Sequence, residues 1–536
     1  MTWLRAHRFE LLLALAFVLL LAPLLLPGYV LTLDMVFTPT MPAPQIVAGA
    51  YRNGWVTRYV VHWLSLVLPG WIVQKLAFVA LFGAMATTAY RWILPKAERS
   101  TKALLAVFYV FNPFVYTRFL AGQWTILLAY ALLPLVLWTA DLDAHAERPY
   151  WKQGLWLGLA LAAVWAGSLH LGVMALALVA AQVVATTSRA KRTAQVMLVA
   201  AGALLLGTSY WTVPAIMQPA PSVIESFDGR HLEAFATTVH PRLGPFGTVL
   251  ALGGFWGERE PWAGAFVWAE DLPWVWGIAG AVLAAGLLWG VFQGLRTHAL
   301  RRQTVVLLLL AAFALVASVG MADSSVQGFN RWAFEHLPFW SGFRDSQKWS
   351  ALLVLVYAWL FGLASERLPR VGRVVVLVAV FAFTYPMLGG FWGQLRPTWY
   401  PAEWAQANAM LSQVPTCKAV FLPWHMYYKP SWNLDRLVAN PAAAYFDCEV
   451  MVSRNVELGS IRTQGAIDPA YDAIDSAIVG RDALSPAQVL EVLRAAGITY
   501  VLATSDVPEP FPVYPALGLA QKLFTGERLT VYKLVE

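Results

Sequence analysis

What most constrains this chain is the recurrence of long apolar runs. Stretches of roughly 17 to 25 residues with almost no charge repeat from about residue 10 to about residue 390, and each can cross about 30 Å of hydrocarbon as a helix. In that medium each backbone N–H and C=O must find its partner inside the segment, so runs of this length specify helices. Composition agrees, because 59% of the residues are hydrophobic and only 13% are charged, against about 25% charged in soluble domains. A water-soluble fold for the whole chain is excluded. From about residue 396 charges return, apolar runs shorten to strand length and turn residues become frequent. The expected fold class is an all-α polytopic membrane domain of about eleven transmembrane helices over 1–395, followed by a small α/β domain over 396–536.

Basic residues orient these spans. Arg5 and Arg8 precede the first run, which places the N-terminus in the cytoplasm. That run, 11–27, is long for a signal sequence and lacks a small-residue cleavage site, so it reads as a retained first span. Later spans are expected at about 72–93, 103–117 and 124–140, as a pair within 153–187 split at Gly167, Ser168 and His170, and onward to 374–390. With that layout each inner loop is basic, from Lys96, Arg99 and Lys102 to Arg367, Arg370 and Arg373, and one missed span would invert all later loops. Long segments at about 31–71, 214–271 and 321–349, together with the C-terminal domain, then face the extracytoplasmic side of an inner membrane. The net charge of +7 is met by inner-face Lys and Arg near anionic membrane lipids and needs no nucleic acid. Tyr51, Trp55, Tyr59 and Trp63, spaced by four, predict a helix lying in the headgroup region with an aromatic face. Pro113 predicts a break in the third span.

Candidate chemistry sits on the outer segments. Asp34, in GYVLTLDMVFTP (28–39), is the first carboxylate after the first span. It is either the polar end of that span or an acid working on a membrane-embedded substrate. In GFRDSQKWS (342–350), Arg344 offers a planar fork suited to phosphate and Lys348 adds a point charge one helical turn on. The alternative is an interfacial edge in which Asp345 neutralises one base. Arg118 is a further phosphate candidate, and Lys75 is either another or a side chain that snorkels to the interface. The 214–271 segment carries Glu225, Asp228, Arg230, His231 and Glu233, which are acceptor-binding or secondary acid/base candidates. His170 reads as a turn residue. Cys417 and Cys448 are the only cysteines; both lie in the exported domain, where a disulfide is expected. Zinc spacings, phosphate-cradling glycine loops and serine-elbow motifs are missing, so the chemistry falls to acids and bases. In the C-terminal domain helices are predicted at 402–411 and 486–496, the latter capped by Ser485 and stopped by Gly497, and strands at 419–422, 498–503 and 529–534. Trp424 and His425 offer either a glycan contact or an interface with the membrane domain.

A first span, an outer loop opening with an acid, many further spans and an exported tail resemble the GT-C integral-membrane glycosyltransferases. FNPFVYTRFLAGQW (111–124), SYWTVP (209–214) and GFRDSQKW (342–349) resemble segments of a bacterial and archaeal subgroup. That subgroup includes the N-terminal portion of the large mycobacterial arabinofuranosyltransferases. YPAEWAQANAML (400–411) and FLPWHMY (421–427) resemble its exported tails. The resemblance implies a polyprenyl-phosphate-linked sugar donor and a glycan, lipid or protein acceptor. It also implies a first-loop acid, here Asp34, as general base, with cations on the departing phosphate. A divalent metal in that family goes with paired acids in the loop; here the neighbours of Asp34 are Leu33 and Met35. Two other classes stay open: a non-catalytic envelope-assembly protein, and a lipid or polysaccharide transporter, which would carry ionisable or helix-breaking positions near mid-membrane.

Overall fold

The computed structural model describes residues 15, 17, 20–44, 54–186, 189–217, 227–259, 272–337, 340–458, 461, 469–480, 484–506 and 511–534. Most of the first expected span, Tyr51 and Glu225 lie outside these residues. Seven described helices are long and apolar enough to cross a membrane, and an eighth passes as a pair, Arg370–Phe383 and Tyr385–Trp392, bent by 66°. Two of the eleven expected spans are weaker. Trp124–Thr139 is shorter than a full span, and Tyr150–Gly167 is an 18-residue helix outside that set. The chain is a multi-pass membrane protein.

Local chemistry explains the breaks. Pro113 has no N–H to donate, so Arg99–Val110 stops and Pro113–Leu120 starts afresh. Asn112, fully buried, repairs the junction: its Oδ1 accepts from Val115 N at 3.0 Å, and its amide donates to the carbonyls of Phe108 and Tyr109 at 3.1 and 3.0 Å. The expected pair within 153–187 divides at Ser168, whose extended backbone separates Tyr150–Gly167 from Leu169–Thr186. Tyr150–Gly167 packs on Ala190–Met217 through small residues. A Cβ on Gly158 would lie 2.5 Å from the Ala200 carbonyl oxygen, so the backbones meet where a larger side chain has no room. Ser350–Ser365 is buried along its whole length and forms the axis of the bundle.

The residues after 400 form a five-stranded sheet in the order β4-β1-β5-β7-β6, where β1 is Lys418–Leu422, β4 Glu449–Met451, β5 Tyr500–Thr504, β6 Gln521–Thr525 and β7 Leu529–Lys533. β1 runs parallel to β4 and β5, and β7 runs antiparallel to β5 and β6. Helices Ala402–Leu411 and Pro486–Ala495 flank it, the second capped by Ser485 in a capping box with Gln488. Cys417 and Cys448 are joined by a disulfide beside β1 and β4. A small second sheet, β2 (Tyr427–Tyr428) with β3 (Val438–Ala439), reaches toward the membrane helices and positions the site.

Candidate active site

The site is built around the turn that carries Asp34. Val30 to Leu33, Met35 and Phe37 are buried, while Asp34, in the turn between Leu33 and Met35, is exposed. Thr32 and Met35 close a two-residue turn, Met35 N donating to the Thr32 carbonyl at 2.7 Å. Leu33 has φ 38, a left-handed conformation that costs a branched residue energy and persists only where the surroundings hold it. They do: Leu33 exchanges backbone hydrogen bonds with Leu437 and Ala439 of the C-terminal sheet, each 2.8 Å, while Asp34 N donates to the Ala121 carbonyl at 3.2 Å. Just upstream, the Gln74 side chain both donates to and accepts from Val30, at 2.7 and 2.8 Å. Gly122, at φ +74, lies so close that a Cβ there would stand 2.2 Å from Met35 N. Three separate parts of the chain therefore fix one carboxylate.

Asp34 is open to solvent although protein surrounds it closely, which is the geometry of a cleft floor. Tyr427 Oη donates to its Oδ1 at 2.5 Å and Gln123 Nε2 to its Oδ2 at 3.4 Å. Burial raises its pKa above the ordinary carboxylate value, against the hydrogen bonds from Tyr427 and Gln123 and the charge of Lys348. Burial together with the Asp34 charge pushes the Tyr427 phenol well above its usual range, so Tyr427 stays a donor.

Beneath the cleft lies a second acid, Asp345. Its carboxylate takes the fork of Arg118, Nη2 donating to Oδ1 at 3.0 Å and Nη1 to Oδ2, and Lys348 Nζ stands 3.8 Å from Oδ2. Burial works against its ionisation, but the charges of Arg118 and Lys348 hold its pKa below the ordinary value. Arg118 also donates to Gln347 and, at 2.8 Å, to Gln123, so one guanidinium links the Asp345 floor to the amide that touches Asp34. Fully buried, Arg118 has no face for a ligand, and the structure reassigns it from phosphate contact to support of the floor. Lys348 is also largely buried. Arg344 is different. Its guanidinium stacks at 3.7 Å on Phe227 and 4.5 Å on Phe235, and its buried Nη1 has no hydrogen-bond partner among the described residues. Burial brings its pKa down to about 10, opposed by Asp345 and Tyr427, so it remains a cation at neutral pH. His170 reaches the same segment, its Nε2 donating to the Gly342 carbonyl at 2.7 Å.

Other expected residues are placed elsewhere. Asp228, Arg230 and His231 form a cluster of their own: Asp228 caps Gly229–Ala234 and binds Arg230 Nη2 at 2.8 Å and His231 Nδ1 at 2.9 Å. Among the described residues they adjoin the Asp34 cleft through the rings that flank their helix, Phe227 and Phe235, both stacked on Arg344. Lys75 does not snorkel; it is 6% exposed, its Nζ unpartnered and 5.8 Å from the Phe78 ring. Trp424 offers no glycan platform, because it is fully buried and donates to Asp475 at 2.7 Å. His425 pairs with Glu457 at 2.7 Å. Among the described residues no three His, Cys, Asp or Glu side chains gather as a metal site. Tyr427 and Gln123 were missed as individuals, although both lie inside the segments FLPWHMY and FNPFVYTRFLAGQW.

No family model and no curated relative matches the chain. Among solved structures, the cryo-EM structure of the arabinofuranosyltransferase AftD from Mycobacteria aligns with a TM-score of 0.63 at 16% identity, over 99% of this chain and 40% of that one. The chain shares the fold of the part of AftD that it aligns with. The chain spans 40% of the length of AftD. The apo crystal structure of the Archaeoglobus fulgidus oligosaccharyltransferase aligns at a TM-score of 0.45 and 11% identity, over 94% of this chain and 70% of that one. On this fold, the Asp34 turn, the Arg344 segment and the small second sheet carrying Tyr427 come together.

Proposed function

We propose that the chain is a membrane glycosyltransferase that moves a sugar from a polyprenyl-phosphate carrier to a glycan, lipid or protein acceptor on the extracytoplasmic side of the inner membrane. The observation that carries this reading is the convergence on Asp34: one accessible carboxylate, fixed on both flanks, with Tyr427 on one oxygen, the charge of Lys348 acting on it and that of Arg344 acting on Tyr427. Asp34 takes the proton of the acceptor hydroxyl. The acceptor oxygen then attacks the anomeric carbon, the bond from that carbon to the phosphate oxygen breaks, and the phosphate leaves with the electron pair. Arg344, with an unused N–H aimed at no protein group, and Lys348 meet the charge that develops on it. Arg118 and Asp345 act as positioning residues beneath them. An apolar cavity of about 400 Å³ lies beyond the Arg118–Gln347 link, walled in part by Leu252, whose carbonyl accepts from Gln347, and by Phe108, Tyr357 and Phe383. It suits the hydrocarbon chain of a carrier lipid.

The sugar class to test first is a pentofuranose, named for the enzyme that shares the fold. Single-turnover transfer from a polyprenyl-phosphate pentofuranose, at matched donor occupancy, decides the matter. Asp34→Asn keeps the shape and removes the proton acceptor, so donor binding survives and transfer falls by about 100-fold or more. Turnover of Asp34→Asn at the wild-type rate would put the base elsewhere and sink the scheme.

A further inference from the structure

A second cavity, of about 710 Å³, opens between Gly229–Ala234 and Ser324–His336, with Ser341 at its inner end. Its volume falls within the roughly 300–1,000 Å³ of small-molecule sites. Phe227 and Phe334 give it two aromatic faces. Around them stand fixed polar pairs: Arg230 with Asp228 at 2.8 Å, and Arg331 with Glu233 at 3.7 Å. These pairs face water and contribute little to stability. What they do provide is a set of donors and acceptors held side by side. With Glu335 also on the wall, carboxylates outnumber guanidiniums, so a second phosphate is not attracted. Alternating donors and acceptors beside aromatic faces suit a ligand with hydroxyl edges and C–H faces.

Position adds the second argument. The Phe227 ring that lines this cavity is the ring stacked at 3.7 Å on Arg344, Arg344 interacts electrostatically with Tyr427, and Tyr427 holds Asp34. The cavity thus neighbours the cleft across a single side chain.

We infer that this cavity binds neutral saccharide units of the acceptor, set back from the hydroxyl delivered to Asp34. This rests on the glycosyl-transfer reading, which it deepens by naming an acceptor of carbohydrate chemistry.

The test is donor-free binding of the full chain, in lipid nanodiscs, to immobilised neutral oligosaccharides of pentose and hexose units. The wild type should retain at least one of them. Arg331→Ala and Phe334→Ala should each weaken retention by about tenfold, the loss of one good polar or stacking contact, with unfolding temperatures unchanged. Glu335→Gln, which keeps the shape, serves as a second variant should an alanine variant fail to fold, and it too should weaken retention. The inference is overturned if the wild type retains no neutral saccharide at millimolar concentration, or if all three variants retain it as well as the wild type. Selective retention of phosphate-bearing glycans, lost in Arg331→Ala, also overturns it, in favour of an anion site. Saccharide retention without any transfer from a carrier-linked sugar would instead refute the catalytic reading and leave the binding site standing.

Discussion

Removing the Tyr427 hydroxyl tests the cleft most directly. Tyr427→Phe deletes one O–H donor, 2.5 Å from Asp34 Oδ1, and leaves the ring in place. A hydrogen bond to an ionised group contributes about 1.5–3 kcal/mol, and each pKa unit corresponds to about 1.4 kcal/mol, so the loss raises the Asp34 pKa by roughly one to two units. The sign follows from the role. Asp34 works as a base only when ionised, so kcat/KM falls as pH drops through its pKa, and a higher pKa moves that acid limb to higher pH. Burial already raises the Asp34 pKa, so the limb of the wild type should lie above the ordinary carboxylate value. Tyr427 itself titrates far above the working range, so the variant should leave the alkaline side of the profile unmoved. Gln123→Leu, which removes a longer bond of 3.4 Å, should shift the limb in the same direction by less. The assay is kcat/KM for transfer between pH 4 and 9, with unfolding temperatures recorded in the same buffers. An acid limb that stays in place in Tyr427→Phe, or moves to lower pH, refutes Asp34 as the titrating base.

Three further outcomes are expected. Asp345→Asn leaves the fully buried Arg118 without its counter-charge and should cost about 3–5 kcal/mol in denaturant unfolding; Arg118→Met combined with Asp345→Leu should cost less than the two single changes added together. Gly122→Ala forces a Cβ to 2.2 Å from Met35 N at φ +74, so transfer should be lost, whereas Gly83→Ala, with nothing near its Cβ, should be silent. Cys417 and Cys448 should resist alkylation until reduced, and Cys417→Ser should lower stability by about 3.5 kcal/mol for a loop of this length, the two residues being 31 apart.

How far this was legible in sequence depends on the range of the forces involved. Hydrocarbon imposes its demand on each segment separately, so the spans, the break at Asn112–Pro113 and the Ser168 division could be read locally. The same holds for the Ser485 cap and the Gly497 stop, at φ +78, because caps are matters of three or four residues. Where local signal weakens, so does the reading: Trp124–Thr139 divides at Leu132 before Pro134, leaving two short helices where one span was expected. The site is the opposite case. Tyr427 meets Asp34 across 393 residues and Arg118 meets Asp345 across 227, and no periodicity reports on pairs so distant. Arg118 read as a phosphate ligand because an unpartnered arginine near a headgroup layer is one; its partner was visible only as the acid beside Arg344. Trp424 and Lys75 show the same limit from the apolar side. Trp424 was expected to meet a glycan or the membrane domain and Lys75 to snorkel or bind phosphate, and each is buried instead.

On the function proposed above, the charges of the cleft bear on which carrier it would accept. Arg118, Arg344 and Lys348 are three cations, and Asp34 and Asp345 are two carboxylates, so the cluster carries one net positive charge. Unbalanced charge in a place largely removed from water is costly. A sugar held on a single phosphate brings one negative charge and neutralises the cluster. A sugar held on a pyrophosphate brings two and leaves it negative, beside a carboxylate that must stay ionised to act. In the proposed transfer the proton would arrive on Asp34 as the second charge appears on the departing phosphate. Negative charge therefore moves from the carboxylate to the leaving group within the reach of the same cations. Arg344 and Lys348 need not be displaced for this; they have only to lie nearer the phosphate than the acid does. That arrangement stabilises the transition state more than the bound donor, which is the condition for a cation to speed the reaction rather than merely tighten binding. On that reading Asp345 also has a purpose. By holding Arg118 and part of the charge of Lys348, it keeps the cleft before transfer at one positive charge rather than two, the charge that one monophosphate carrier neutralises.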